Sequence, residues 1–179
     1  MKILFISLGC DKNLADSEEM LGLLTGNGHE IVDSEEEADA IVINTCCFIH
    51  DAKEESVNTI LEMAEYKKNG TCKILIVTGC MAQRYKEEIT EEIPEVDAVL
   101  GTTSYGDIVK ALNEAEAGHV FQEFKDINAL PEDSGRRVIT TGGHFGYLKI
   151  AEGCDKHCTY CIIPSLRGKF RSVPEERLL

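Results

Sequence analysis

Near the end of the chain, residues 151–164 read AEGCDKHCTYCIIP and place Cys154, Cys158 and Cys161 within eight residues. Clustered thiolates are soft ligands that select zinc, copper or iron–sulfur clusters. A structural zinc ion or an electron-carrying cluster ordinarily takes four protein ligands. His157 is the only nearby candidate for a fourth, but it directly precedes Cys158, which makes simultaneous tetrahedral ligation awkward, and CxxC pairs are the commoner zinc spacing. A 4Fe-4S cluster on three cysteines instead leaves one iron without a protein ligand, and that iron can bind a small molecule.

Three more cysteines, Cys10, Cys46 and Cys80, each follow the carboxyl end of an expected strand, in FISLGC, VINTC and IVTGC. In an open parallel sheet those ends share one edge, and ligands sit in the crevice outside it, so residues distant in sequence converge there. Each is also expected just before a helix, whose N-terminal amides and dipole favour thiolates. Gly9 and Gly79 allow close backbone approach at the turns. The competing reading is that these are small buried residues at strand ends. Cys72 starts its strand at the opposite edge and reads as packing, and Cys47 reads as a spare thiol or a neighbour of the ligands.

The elements that would position these residues are legible as four apolar, β-branched runs: KILFISL (2–8), DAIVINT (39–45), KILIVTG (73–79) and DAVLG (97–101). Each reads as a strand buried on both faces. Helices are expected between them: one opened by Asn13 as N-cap, with Asp16 three residues later, a second over about 51–68, a third over about 82–92 and a fourth over about 105–116. Strand–helix alternation predicts an α/β fold, an open, mostly parallel sheet with helices on both faces. VFQEFKDI (120–127) reads as one more strand. Residues 131–143, rich in Pro, Gly, Ser and Thr, read as a linker between a first domain (1–130) and the start of a second (144–179). There FGYLKIAEG (145–153) reads as a strand and VPEERLL as the beginning of a helix with Pro174 near its first turn.

Charge changes at the same place. Residues 1–135 carry 10 Lys/Arg against 28 Asp/Glu, and residues 136–179 carry 8 against 4, within an overall formal charge of -14. The first segment is therefore unsuited to gripping a phosphate backbone by itself and better suited to a basic partner. The apolar run before Gly9 is shorter than an export signal needs, and no stretch approaches the roughly 20 apolar residues of a membrane span. A cytoplasmic protein is expected, in which clustered cysteines bind metal more often than they pair.

C154-DKH-C158-TY-C161 resembles the CxxxCxxC signature of radical S-adenosylmethionine enzymes, with Tyr160 at the family's aromatic position. Together with LGCDKNLADSE (8–18), INTCCFIHDAKEES (43–56) and TGCMAQRY (78–85), the chain resembles the N-terminal part of the methylthiotransferases within that group. The resemblance implies that Cys10, Cys46 and Cys80 hold one 4Fe-4S cluster. It implies that Cys154, Cys158 and Cys161 hold a second, which binds S-adenosylmethionine with Tyr160 near the adenine and, on one-electron reduction by a donor, yields a 5'-deoxyadenosyl radical. Residues 144–179 would then begin a radical S-adenosylmethionine (β/α) barrel, truncated here, so that the chain alone would be inactive. Cys47 departs from the family pattern, where a small residue such as Gly is expected. Two substrate branches exist: LGCDKN resembles the branch acting on an aspartate of the ribosomal small-subunit protein numbered twelve, whereas the branch acting on a tRNA adenosine usually opens with a YGCQMN-like segment. A module that only binds an iron–sulfur cluster or zinc is the remaining alternative.

Overall fold

The computed structural model describes residues 1–131 and 135–178. Its centre is a six-stranded sheet. The strands are β1 (Lys2–Ser7), β2 (Glu30–Val32), β3 (Ala40–Thr45), β4 (Ile74–Gly79), β5 (Ala98–Leu100) and β6 (Phe121–Glu123), in the order β2-β1-β3-β4-β5-β6. Every neighbouring pair is parallel. The chain leaves β1 toward one edge and returns past it to β3, so the direction of winding reverses between β1 and β3. That reversal opens a crevice beyond their carboxyl ends.

Alternate side chains serve opposite faces, as the period of two requires. Ile41, Ile43, Leu75 and Val77 pack against α2 (His50–Asn69), α3 (Cys80–Arg84) and α4 (Lys86–Glu92) through Ile60, Met63, Met81 and Ile89. Val42, Ile74, Ile76 and Leu100 face α1 (Asp11–Gly26) and α5 (Ile108–Glu116) through Met20, Leu24, Ile108 and Leu112. All residues of β3 and β4 are buried, which is why these strands read as continuous apolar runs.

Several expectations change. Helix α1 begins at Asp11 with Cys10 as its N-cap, so Asn13 lies inside the first turn and its carboxamide is used elsewhere. The third helix is two pieces broken at Tyr85, whose backbone is non-helical (φ -122°, ψ 35°). The fourth opens with a short 3-10 turn, Tyr105–Asp107. The edge strand β2 carries only the three residues EIV and escaped the pattern of longer apolar runs.

Beyond the sheet, only Ala151–Glu152 (β7) of 145–153 is strand, paired antiparallel with Arg171–Ser172 (β8). Pro174 caps a 3-10 turn, Glu175–Arg177, rather than opening an α-helix. Between β7 and β8 a short helix α6 (Ile163–Arg167) places Leu166 in the core beside Met81. Of the segment 131–143, residues 132–134 lie outside the described residues. The rest follows α1: Val138 donates its amide to Glu18 O (3.0 Å). The Glu18 carboxylate accepts from Arg137 (2.9 and 2.5 Å) and from the Thr140 amide and hydroxyl (2.7 and 2.9 Å). Burial works against that carboxylate's charge, but these donors outweigh it and hold its pKa below the ordinary value.

Leu75, fully enclosed in a central strand, and Leu61, 48% exposed on α2, separate core from surface. Leu75→Ala is expected to cost about 3 kcal/mol through lost burial and a residual cavity. Leu61→Ala should stay within about 0.5 kcal/mol of the parent in urea unfolding.

Candidate functional site

Three turns meet at the crevice, each carrying one cysteine. Cys10 ends the β1 turn and caps α1, its carbonyl accepting from Leu14 N at 3.0 Å. Cys46 follows β3 directly and lies four residues ahead of α2, so it does not cap that helix. Its peptide is clamped by Ser56 of α2, whose hydroxyl accepts from Cys46 N (3.0 Å) and donates to Cys46 O (2.8 Å). Cys80 begins α3 directly after β4.

Two glycines allow the close approach. Gly9 has φ +96°, and a Cβ there would stand 2.8 Å from Cys46 Cβ and 3.0 Å from Cys46 Sγ. The Cys10 turn therefore lies against Cys46. Gly79 has φ +93°, and a Cβ would collide with Asn44 Oδ1 and Thr45 O, which ties the Cys80 turn to the end of β3. Only glycine occupies these positions without strain.

At the centre of the three turns is Asn13, completely buried. Its amide nitrogen donates to Leu8 O and Thr45 O, both at 2.9 Å, bridging the ends of β1 and β3. Its carbonyl oxygen faces Cys80 Sγ at 3.7 Å and accepts from Arg167 Nη2 at 2.5 Å. Asn44 reinforces the same helix from β3, donating to Asn13 O and Ser17 Oγ at 2.9 Å each.

Burial pushes the Cys80 thiol pKa up, and the Arg167 guanidinium beside it opposes the rise. The Cys47 thiol, also buried, donates to Cys80 O at 3.2 Å. Burial first, and then the negative charge that Cys80 and Cys46 would carry, pushes it up to about 12. Cys47 thus braces the Cys80 turn as a neutral donor. Cys72 is buried at the other end of β4 and bonds Ile74 O at 3.3 Å.

The second group lies on the loop between β7 and α6. Cys154 N donates to Gly168 O (3.0 Å), Lys156 N to Cys154 Sγ (3.4 Å) and Cys161 N to Cys158 O (3.0 Å). Cys158 is exposed and Cys154 and Cys161 half-buried, while Tyr160 is 90% exposed and His157 also faces solvent.

This loop is attached to the crevice through charge. Lys12, two residues after Cys10, donates to Ala151 O (2.7 Å) and lies 3.6 Å from Glu152. Lys149 pairs with Asp16 of α1 and with Glu152 (3.0 Å). Arg167 pairs with Asp16 (2.6 Å) and Glu152 (3.2 Å). Burial alone would raise the Glu152 carboxyl, but Arg167, Lys149 and Lys12 outweigh it and hold its pKa well below the usual range.

Sequence reading found the six cysteines but not the groups that gather them: Asn13, Asp16, Ser56, Lys149, Glu152 and Arg167. A signal existed for two of them. Asn13, Asp16 and Ser17 lie at i, i+3 and i+4 ahead of Met20 and Leu24, a polar start to the buried stripe of α1.

The donor set suits an anionic cluster: soft thiols on separate turns, glycine-enabled approach and a cation at one sulfur. Among the described residues, no group of three or more His, Cys, Asp or Glu converges as a single metal ion requires. A cluster asks for a different arrangement, because each cysteine binds a different iron. No helix among the described residues is long and apolar enough to cross a membrane.

The model of the Uncharacterized protein family UPF0004 matches residues 2–101. The chain is 66% identical over 179 residues to the ribosomal protein uS12 methylthiotransferase RimO of Lachnoclostridium phytofermentans, covering all of this chain and 41% of that protein. It is 52% identical over 179 residues to the protein of the same name from Clostridioides difficile (100% of this chain, 40% of that one). Against the one from Desulforamulus reducens it is 50% identical over 174 residues (97% and 39%). The chain thus spans about two fifths of the length of the curated relatives it matches.

Removing the Asn13 carboxamide by Asn13→Ala strands Leu8 O, Thr45 O and one arm of Arg167, and should cost about 2–4 kcal/mol in urea unfolding. In the metal-free chain at pH 8, iodoacetamide followed by peptide mass spectrometry should modify Cys10 and Cys158 readily. Cys47 and Cys72 should react only after denaturation, since Cys47, with a pKa of about 12, is almost wholly protonated at that pH.

Proposed function

Because this chain belongs to the UPF0004 family, and its likeness to RimO methylthiotransferases runs its whole length, we propose that it is the N-terminal part of an enzyme that methylthiolates an aspartate of ribosomal protein uS12. Cys10, Cys46 and Cys80 would hold one 4Fe-4S cluster, and Cys154, Cys158 and Cys161 the other together with S-adenosylmethionine, toward which Tyr160 would contribute. Bound there, these groups supply a radical to remove an unreactive hydrogen, a sulfur atom to replace it and a methyl group to cap that sulfur. Residues 1–130 form the domain of the first site, 131–143 connect, and 144–179 open the barrel of the second.

The observation that supports this reading is that the three turns carrying Cys10, Cys46 and Cys80 and the loop carrying Cys154, Cys158 and Cys161 are tied together at one edge of the sheet through Lys12, Lys149 and Arg167. Chemistry that joins a radical to a sulfur atom needs both sites on one cavity. The protein's own groups do the positioning: Asn13 and Ser56 fix the turns of the first trio, and the β7–β8 ladder fixes the second loop. The excess of Asp and Glu in residues 1–135 suits a basic protein such as a ribosomal protein better than RNA. A one-electron donor completes the partners.

Anaerobic reconstitution with iron and sulfide tests the sites: the chain should take up about eight irons, and Cys80→Ser or Cys158→Ser about four each. Stoichiometric zinc and no iron would overturn the reading. In a protein of the relatives' full length, methylthiolation should appear on uS12 in ribosomes given S-adenosylmethionine and a reductant; modification of tRNA instead would move the chain to the other branch.

A further inference from the structure

Arg167 stands between the two cysteine groups, six residues after Cys161 in sequence and beside Cys80 in space through the shared Asn13 Oδ1. It is 4% exposed. Taking a guanidinium out of water is costly unless its donors are used, and here both terminal nitrogens have partners. Nη1 reaches Asp16 Oδ2 and Glu152 Oε2, and Nη2 reaches Asn13 Oδ1, the same oxygen that Cys80 Sγ faces at 3.7 Å.

Pairing the two carboxylates does not by itself require this residue. Lys149 already pairs with both Asp16 and Glu152. What Arg167 adds is the reach of a planar fork to the carboxamide at the centre of the first site, whose oxygen it shares with the Cys80 sulfur. We propose that Arg167 is a positioning residue for the first cysteine site, supplied by the segment that carries the second, so that docking of one loop sets the geometry and charge of the other.

The proposal rests on Cys10, Cys46 and Cys80 being cluster ligands. A cation held on the carboxamide oxygen that faces a ligand sulfur favours the more negative, reduced state of whatever those sulfurs hold. It also makes the first site's properties depend on a side chain nearly 90 residues beyond Cys80.

The test uses the 179-residue chain with Cys154, Cys158 and Cys161 all replaced by Ala, so that only the first site loads. After anaerobic reconstitution, iron content, the EPR spectrum of the dithionite-reduced form and the one-electron midpoint potential are measured. Arg167→Gln should lower the potential by about tenfold in the reduction equilibrium, 59 mV for a one-electron couple. Arg167→Lys, which keeps the charge and loses the fork, should lower it less and still move the EPR g values. Lys149→Gln, which removes a cation from the same network without contact to Cys80, should change the potential less than Arg167→Gln.

Iron bound with potential and EPR unchanged in Arg167→Gln would overturn the proposal. Should that variant fail to fold, a spectrum and potential in Arg167→Lys identical to the parent would overturn it equally. Absence of iron from the parent itself is a different result: it removes the cluster reading on which the proposal stands.

Discussion

One buried carboxamide holds the site together. Asn13 has four polar contacts and no access to water, and those contacts run to the end of β1, the end of β3, the Cys80 sulfur and the Arg167 guanidinium. An amide is the one neutral side chain with both two donors and an acceptor, so it can bridge two strand carbonyls and still receive a cation. The three cysteine turns belong to segments that share no local sequence contact. What brings them to one crevice is the parallel register β1-β3-β4, and what fixes their spacing is this side chain on the helix that crosses above them.

Around that centre the protein spends charge where most folds spend apolar surface. Asp16, Glu152, Lys149 and Arg167 form a network with side chains no more than 10% exposed. Replacing such a network with hydrocarbon is often neutral or stabilising, so its value is weak as a source of stability. It is strong as a source of orientation, because each member holds two partners and removing one leaves the charges of the four unbalanced. The segment after residue 135 is thereby committed to one seat on α1, through Glu18 at one end and Asp16 at the other.

How much of this was readable from the sequence depends on range. β3 and β4, buried on both faces, announced themselves by the unbroken apolar runs AIVI and ILIV at their starts. The cysteines announced themselves by following those strands. Asn13 misled, since the residue type that most often caps a helix here lies inside one, and only the tertiary partners at Leu8, Thr45 and Arg167 explain why. β2 and β8 were lost for a related reason: a strand of two or three residues carries too little period to be seen, and its existence is decided by the neighbour it pairs with. The break at Tyr85 left no proline or glycine to mark it.

The same distinction of range explains why the ionic partners were invisible. Asp16 and Arg167 are 151 positions apart, and neither looks unusual in its own neighbourhood. Each lies in a stretch that local rules assign to a solvated helix face. Their pairing follows from where β7 and α6 are placed, and that placement puts both cysteine loops on one edge. A domain that merely carried a cluster could expose its ligands at any edge of the sheet. Binding the second loop across the turns of the first trio through a buried guanidinium restricts both cysteine groups to a common crevice.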